Sequence, residues 1–241
     1  MTTKYGQYVV PSAQECINFG VGQPSKDFLP LKMIKTNIMK QLEEEDVDLL
    51  QYGDIPGYKS FRESLSRFLN TEYKPMFDNY FKNIENPMVS PDTLFITNGV
   101  TQALSMICSL LTKAGDTIFV EEPTYFLAIN IFKEYNLKIE SVPIDSEGLI
   151  VDALKEKLNT GGNNILYTIP TFHNPTWITM SDSRRRKLLE LEDLTIIADE
   201  VYQLLYFDDN IPPPPLIHYA SLLNKNNVIS LGSFSKILAP S

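Results

Sequence analysis

Two residues in this chain are placed where side-chain chemistry could be concentrated. Lys236 closes the run Ser233-Phe234-Ser235-Lys236, which follows the apolar residues Val228-Ile229-Ser230-Leu231. A primary amine attacks an aldehyde only when unprotonated, and burial or a neighbouring cation lowers a lysine's pKa enough to supply that form. Ser233 and Ser235 set two hydroxyls near the amine, where they can hydrogen-bond an anion; the same four residues also suit an ordinary solvated lysine. Asp199 comes directly after Leu194-Thr195-Ile196-Ile197-Ala198. A carboxylate at the end of an apolar strand is costly unless it meets a cation or several donors, so Asp199 either faces such a partner or caps a helix.

Further positions extend the set. Asn98-Gly99-Val100-Thr101-Gln102 reads as a glycine turn opening a helix, and free amides at the positive end of a helix dipole are a natural seat for phosphate. Tyr125, in Glu121-Glu122-Pro123-Thr124-Tyr125, either stacks on a planar ring or packs in the core. Asn174, in Pro170-Thr171-Phe172-His173-Asn174-Pro175-Thr176, either donates to a ring oxygen or caps its turn. Phosphate turn, stacking ring, amide, carboxylate and lysine are together the parts that hold pyridoxal phosphate as a Schiff base.

The elements that must position these residues alternate. From Thr93 the pattern predicts strands at 93–97, 117–121, 137–143, 164–169, 194–198 and 227–231, with helices at 99–113, 124–135, 150–159 and 182–192. Such alternation predicts an α/β fold with a mostly parallel sheet covered by helices on both faces. Ligands of these sheets bind beyond the carboxyl ends of the strands, where the candidate residues fall. Upstream, residues 1–30 read as irregular, 31–45 as an amphipathic helix, and Leu50–Tyr58 as a Gly/Pro loop opening a second helix to about Phe68. The polar, proline-bearing stretch 70–91 reads as a long connection, so the expected organisation is an N-terminal arm and helical segment over 1–91 and a ligand-binding domain over 92–241.

Composition narrows the function class. With 43% hydrophobic residues in 241, the chain has ample material for a core. A net charge of -9, with no basic run longer than Arg184-Arg185-Arg186-Lys187, argues against nucleic acid. Cys16 and Cys108 suggest neither a disulfide framework nor a metal site. Without an apolar signal core or a membrane-length apolar run, the expected location is the cytoplasm, off the membrane.

The order and spacing of Asn98–Leu104, Glu122–Tyr125, His173–Thr176, Ala198–Tyr202 and Ser233–Lys236 resemble class I/II aminotransferases of fold type I, and within them the aminoadipate and kynurenine aminotransferase branch. The resemblance runs from about Asn18 to the last residue. It implies pyridoxal-phosphate-dependent transamination between an α-amino acid and a 2-oxo acid, usually by a homodimer. Lys236 would carry the Schiff base and move a proton between the substrate's α-carbon and the cofactor. Asp199 would pair with the pyridinium nitrogen, Tyr125 would stack on the ring, and Asn174 and Tyr202 would hydrogen-bond the ring oxygen. Val100, Thr101, Ser233 and Ser235 would hold the phosphate, Tyr52 would reach the phosphate of the other subunit, and Gly22 would lie beside the substrate carboxylate.

There are two departures from the family pattern. Trp177 follows Asn174-Pro175-Thr176 where the family usually has glycine, so a distorted turn or a narrowed pocket is expected. The chain also ends five residues after Lys236, whereas the family continues through a phosphate-gripping arginine, a further strand and a small C-terminal domain with a carboxylate-binding arginine. The expectation is a large domain without its small domain, folding poorly alone and turning over weakly or not at all. Two other outcomes remain open: elimination on an amino acid, of the C–S lyase or ACC-synthase kind, and a non-catalytic remnant that still binds pyridoxal phosphate. The same lysine chemistry serves each.

Overall fold

In a computed structural model of the chain, residues 22, 24–158, 162–207 and 210–240 are described. Cys16 and most of the arm expected over 1–30 lie outside them. The chain forms two compact units, Met1–Leu49 and Leu50–Ser241. In the first, α1 (Leu31–Glu43) carries its apolar residues Leu31, Ile34, Ile38 and Leu42 at helical spacing, and none of them is buried.

The second unit is built on a six-stranded sheet. Its strands are β1 (Thr117–Glu122), β2 (Lys138–Asp145), β3 (Gly148–Leu149), β4 (Asn164–Thr168), β5 (Leu194–Asp199) and β6 (Val228–Leu231), in the spatial order β3-β2-β1-β4-β5-β6. All neighbours are parallel except the short β2–β3 pair. Register turns the sequence pattern into two covered faces. Phe119, Leu166, Ile196 and Val228 form one cross-strand row, and they belong to a core shared with α2 (Lys59–Tyr80), α5 (Val151–Lys157), α6 (Asp182–Glu190) and α7 (Leu216–Leu222). Val120, Tyr167, Ile197 and Ile229 form the adjacent row, on the face covered by α3 (Gly99–Leu111) and α4 (Phe126–Glu134). Both faces of every central strand are therefore buried, which is why these strands read as nearly continuous apolar runs.

Three expectations change. Residues 94–97 are not in the sheet. Pro91–Thr93 form a 3-10 turn capped by the Ser90 hydroxyl, and the Ile96 N–H donates to Pro56 O at 2.9 Å, so hydrogen bonding ties this segment to the loop before α2. The second helix does not stop near Phe68 but runs to Tyr80 through Pro75. Tyr73, Met76 and Phe77 are spaced at i, i+3 and i+4, and their burial with Phe81 outweighs the backbone hydrogen bond lost at Pro75. The α7 helix and the β3 residues were not anticipated; both are short and follow turn or proline sequences.

The run Arg184-Arg185-Arg186-Lys187 is used internally. Arg184 pairs with Asp145 at 2.7 Å, Arg186 with Asp182 at 2.8 Å and Lys187 with Asp152 at 2.6 Å. Arg185 is wholly buried and donates to the carbonyls of Met180, Pro214 and Pro170 and to the Thr171 hydroxyl.

Candidate active site

Because β1, β4, β5 and β6 are parallel, their carboxyl ends share one edge of the sheet, and the candidate residues collect there. Asp199 is the last residue of β5 and is 4% exposed. Its Oδ2 accepts a 2.7 Å hydrogen bond from the Tyr167 hydroxyl, whereas its buried Oδ1 has no partner among the described residues. Burial raises the carboxyl to about 6, against the pull of the Tyr167 hydroxyl, the Val201 backbone N–H and Lys236. A buried carboxylate with one oxygen satisfied and one open suits a cationic donor such as a protonated ring nitrogen.

Tyr202 stands just beyond. Its hydroxyl accepts from Asn174 Nδ2 at 3.3 Å, and the Lys236 ammonium lies over its ring at 5.8 Å from the centroid. Burial raises the Tyr125 phenol, and the charges of Tyr202 and Asp199 raise it further, so these three side chains share one electrostatic environment. Lys236 is exposed. The amine stands on the surface turn Phe234–Leu238 beyond β6. That turn is seated by Phe234, whose ring lies 6.3 Å from Phe61 and 6.2 Å from Phe68 of α2.

The anion-binding features are local. Ser233 Oγ donates to Ser235 Oγ at 3.0 Å and accepts from the Ser235 amide at 3.1 Å. Gly99 adopts φ +74°, a left-handed conformation that glycine accepts without strain, and α3 begins there. Val100 and Thr101 occupy its first turn, whose amides have no acceptor within the helix. Tyr52 is 100% exposed, with no side-chain partner in the cluster. Gly22 is an exposed residue of the first unit, with open space where a side chain would stand.

The loop after β4 closes on itself. His173 N–H donates to Ile178 O at 2.9 Å, Trp177 N–H to His173 O at 2.6 Å and Met180 N–H to Pro170 O at 2.8 Å, leaving Asn174-Pro175 at its tip. Trp177 does adopt a strained turn, with φ +62°, but its ring is 72% exposed and faces Phe172 at 6.4 Å. The turn is distorted as expected, and the bulk is directed largely into solvent.

Sequence reasoning missed several buried polar residues at this edge. Glu121 accepts from the Thr168 hydroxyl at 2.7 Å and the Ile169 amide at 2.8 Å, and His173 Nε2 lies 3.1 Å from its Oε2 without aligned hydrogen-bond geometry. Glu200 accepts from the Leu216 amide at 2.7 Å and from the Ser230 hydroxyl. Burial raises its carboxyl. The signal was available for both, since each follows apolar strand residues as Asp199 does. Tyr167, inside an apolar strand, carries no such signal.

A parallel sheet with buried Asp199, half-buried Asn174 and Tyr202 and an exposed lysine at its carboxyl edge is an α/β fold with a polar cluster where such sheets bind ligands. The model of the aminotransferase class I and II family matches residues 14–240, and the chain belongs to that family. It is 34% identical over 235 residues to aromatic-amino-acid aminotransferase 1 of Thermococcus litoralis, covering 94% of this chain and 52% of that protein. It is 33% identical to YdfD of Bacillus subtilis, named as an uncharacterized HTH-type transcriptional regulator, covering 95% of this chain and 44% of that one. Among solved structures it is similar to LysN, the α-aminoadipate aminotransferase of Thermus thermophilus complexed with N-(5′-phosphopyridoxyl)-L-leucine. That match has a TM-score of 0.77 and 29% identity, and covers 92% of this chain and 53% of that one. The chain thus spans about half the length of the relatives it matches.

Proposed function

We propose that this chain provides the cofactor domain of a pyridoxal-phosphate-dependent aminotransferase, moving an amino group from an α-amino acid to a 2-oxo acid. The observation that carries the reading is Asp199, a buried carboxylate beside Tyr125, Tyr202 and Lys236 whose Oδ1 has no partner among the described residues. Bound there, pyridoxal phosphate supplies an electron sink that acidifies the substrate's α-carbon. Asp199 would accept a hydrogen bond from the protonated ring nitrogen and so favour its charged form. Tyr125 packs on the ring face, and Asn174 and Tyr202 hydrogen-bond the ring oxygen. Ser233, Ser235, the Val100 and Thr101 amides and the Thr101 hydroxyl receive the phosphate. Lys236 would be the amine that holds the cofactor and would serve as proton donor and acceptor at the α-carbon. Gly22 lies beside the substrate carboxylate, and Tyr52 serves the phosphate of a second subunit in a homodimer.

In this reading residues 92–241 form the cofactor domain and 1–91 the arm and helical segment. The location in this reading is the cytoplasm; among the described residues no helix is long and apolar enough to cross a membrane.

A second reading is a non-catalytic domain that binds the cofactor, favoured by the 33% identity to YdfD. Borohydride reduction of the chain with pyridoxal phosphate, followed by peptide mapping, tests what both share. A pyridoxyl group on Lys236 is expected, and its absence from folded protein overturns both. Incubation of labelling-competent protein with amino-acid and 2-oxo-acid pairs then separates them. A new amino acid supports transamination, release of ammonia without an acceptor supports elimination, and no turnover supports the binding domain.

A further inference from the structure

We infer that Tyr167 is a positioning residue for the Asp199 carboxylate, its hydroxyl holding one oxygen so that the other is presented to the protonated ring nitrogen of the cofactor. The inference rests on the proposed pairing of Asp199 with that nitrogen. Tyr167 lies in the middle of β4, paired with Val120 of β1 on one side and Ile197 of β5 on the other. Asp199 is two residues beyond Ile197 and so projects from the same face of the sheet. The Tyr167 side chain is wholly buried and meets Phe132 of α4 edge-on at 5.4 Å, which fixes the direction in which its hydroxyl points. The hydroxyl donates to Asp199 Oδ2 at 2.7 Å, and Oδ1 is left buried and unpartnered among the described residues.

The Val201 backbone N–H also favours this carboxylate, but Oδ2 can turn away about the side-chain torsions only by breaking the hydrogen bond from the Tyr167 hydroxyl. With Oδ2 engaged, the open acceptor has a fixed direction. The titratable groups around Asp199 are Glu121 from β1, Tyr125 beyond it, Tyr167 from β4, Glu200 and Tyr202 after β5, and Lys236 after β6. Burial and the nearby Glu121 both favour the protonated acid, so the Tyr167 donor also helps keep Asp199 ionised near neutrality.

Tyr167→Phe tests this, because it keeps the ring in its contact with Phe132 and removes only the donor. In cofactor-free protein labelled with carboxyl-13C aspartate, the resonance lost in Asp199→Asn identifies Asp199. Its titration is expected to move to higher pH in Tyr167→Phe, and an unmoved titration overturns the inference. Equilibrium dialysis then measures pyridoxal phosphate binding across pH. Loss of a hydrogen bond to a charged acceptor predicts binding weaker by about tenfold or more near neutral pH. The deficit should narrow as the pH rises to about 9 and Asp199 ionises again. Equal weakening at every pH marks a merely structural hydroxyl and overturns the positioning role. If Asp199→Asn binds as well as the parent, the cofactor reading of Asp199 fails instead, while the titration still decides whether Tyr167 controls that carboxyl.

Discussion

Asp199 and Trp177 each hold an arrangement that a folded chain would ordinarily avoid. With its carboxyl raised to about 6, Asp199 binds its proton more tightly folded than unfolded, so it lowers stability above that pH and the cost fades as pH falls toward 4. Asp199→Asn in cofactor-free protein should therefore raise the unfolding free energy at neutral pH by about 2–3 kcal/mol while weakening pyridoxal phosphate binding. Denaturant titration beside equilibrium dialysis checks this, and a less stable Asn variant would contradict it. Trp177 at φ +62° carries strain that glycine escapes. Trp177→Gly is expected to gain up to about 1 kcal/mol, seen as a higher denaturation midpoint at unchanged slope. At this scale the sequence showed Asp199, Asn174 and Lys236, because a polar residue after an apolar strand is conspicuous. It did not show Tyr167, which is amphipathic and looks like any core aromatic until its hydroxyl is seen to reach Asp199.

Helices α2 and α7 meet around His218, whose ring packs against Tyr73 at 5.4 Å and Phe77 at 5.8 Å and whose nitrogens have no partner among the described residues. Burial lowers this imidazole to about 4. Above the ordinary histidine pKa both states are neutral and nothing is lost. As pH falls below that value the unfolded chain takes up a proton that the folded chain refuses, so stability declines until about pH 4. The loss by then is about 3 kcal/mol. His218→Phe should remove that acid sensitivity, measured as denaturation midpoints between pH 7 and 4.5; an unchanged pH dependence would rule it out. Arg185 joins the loop after β4 to the segment before α7 through the Pro170, Met180 and Pro214 carbonyls. Arg185→Met leaves these buried acceptors bare and is expected to cost about 3 kcal/mol or more. Strand and helix order from Thr117 onward was legible because period-2 and period-3.6 patterns are strong there. The extension of α2 was not, because Pro75 and polar neighbours obscured the spacing of Tyr73, Met76 and Phe77.

Across the whole molecule, two kinds of surface remain without a partner among the described residues. The β6 strand pairs only with β5, which leaves its outer backbone groups free to pair. Leu110, Phe126 and Leu127 stand exposed at the ends of α3 and α4. Both features favour association, and light scattering on the purified chain is expected to give a mass above that of the 27.4 kDa monomer. Leu110→Glu with Phe126→Glu should lower that mass if the helix surface carries the contact, and leave it unchanged if the β6 edge does. Neither surface could be read from the strand and helix pattern, because periodicity shows that a face is apolar but not what covers it.

The exposed ring at position 177 has an optical consequence. Trp177 is the protein's one tryptophan, and it sits three residues beyond Asn174 on the same self-bonded loop. Intrinsic emission excited in the indole band therefore comes from the rim of the site alone, without background from the core. Its large exposure predicts a red-shifted spectrum in the free chain. A cofactor absorbing in the emission range would dim it by energy transfer, so occupancy can be followed without a label.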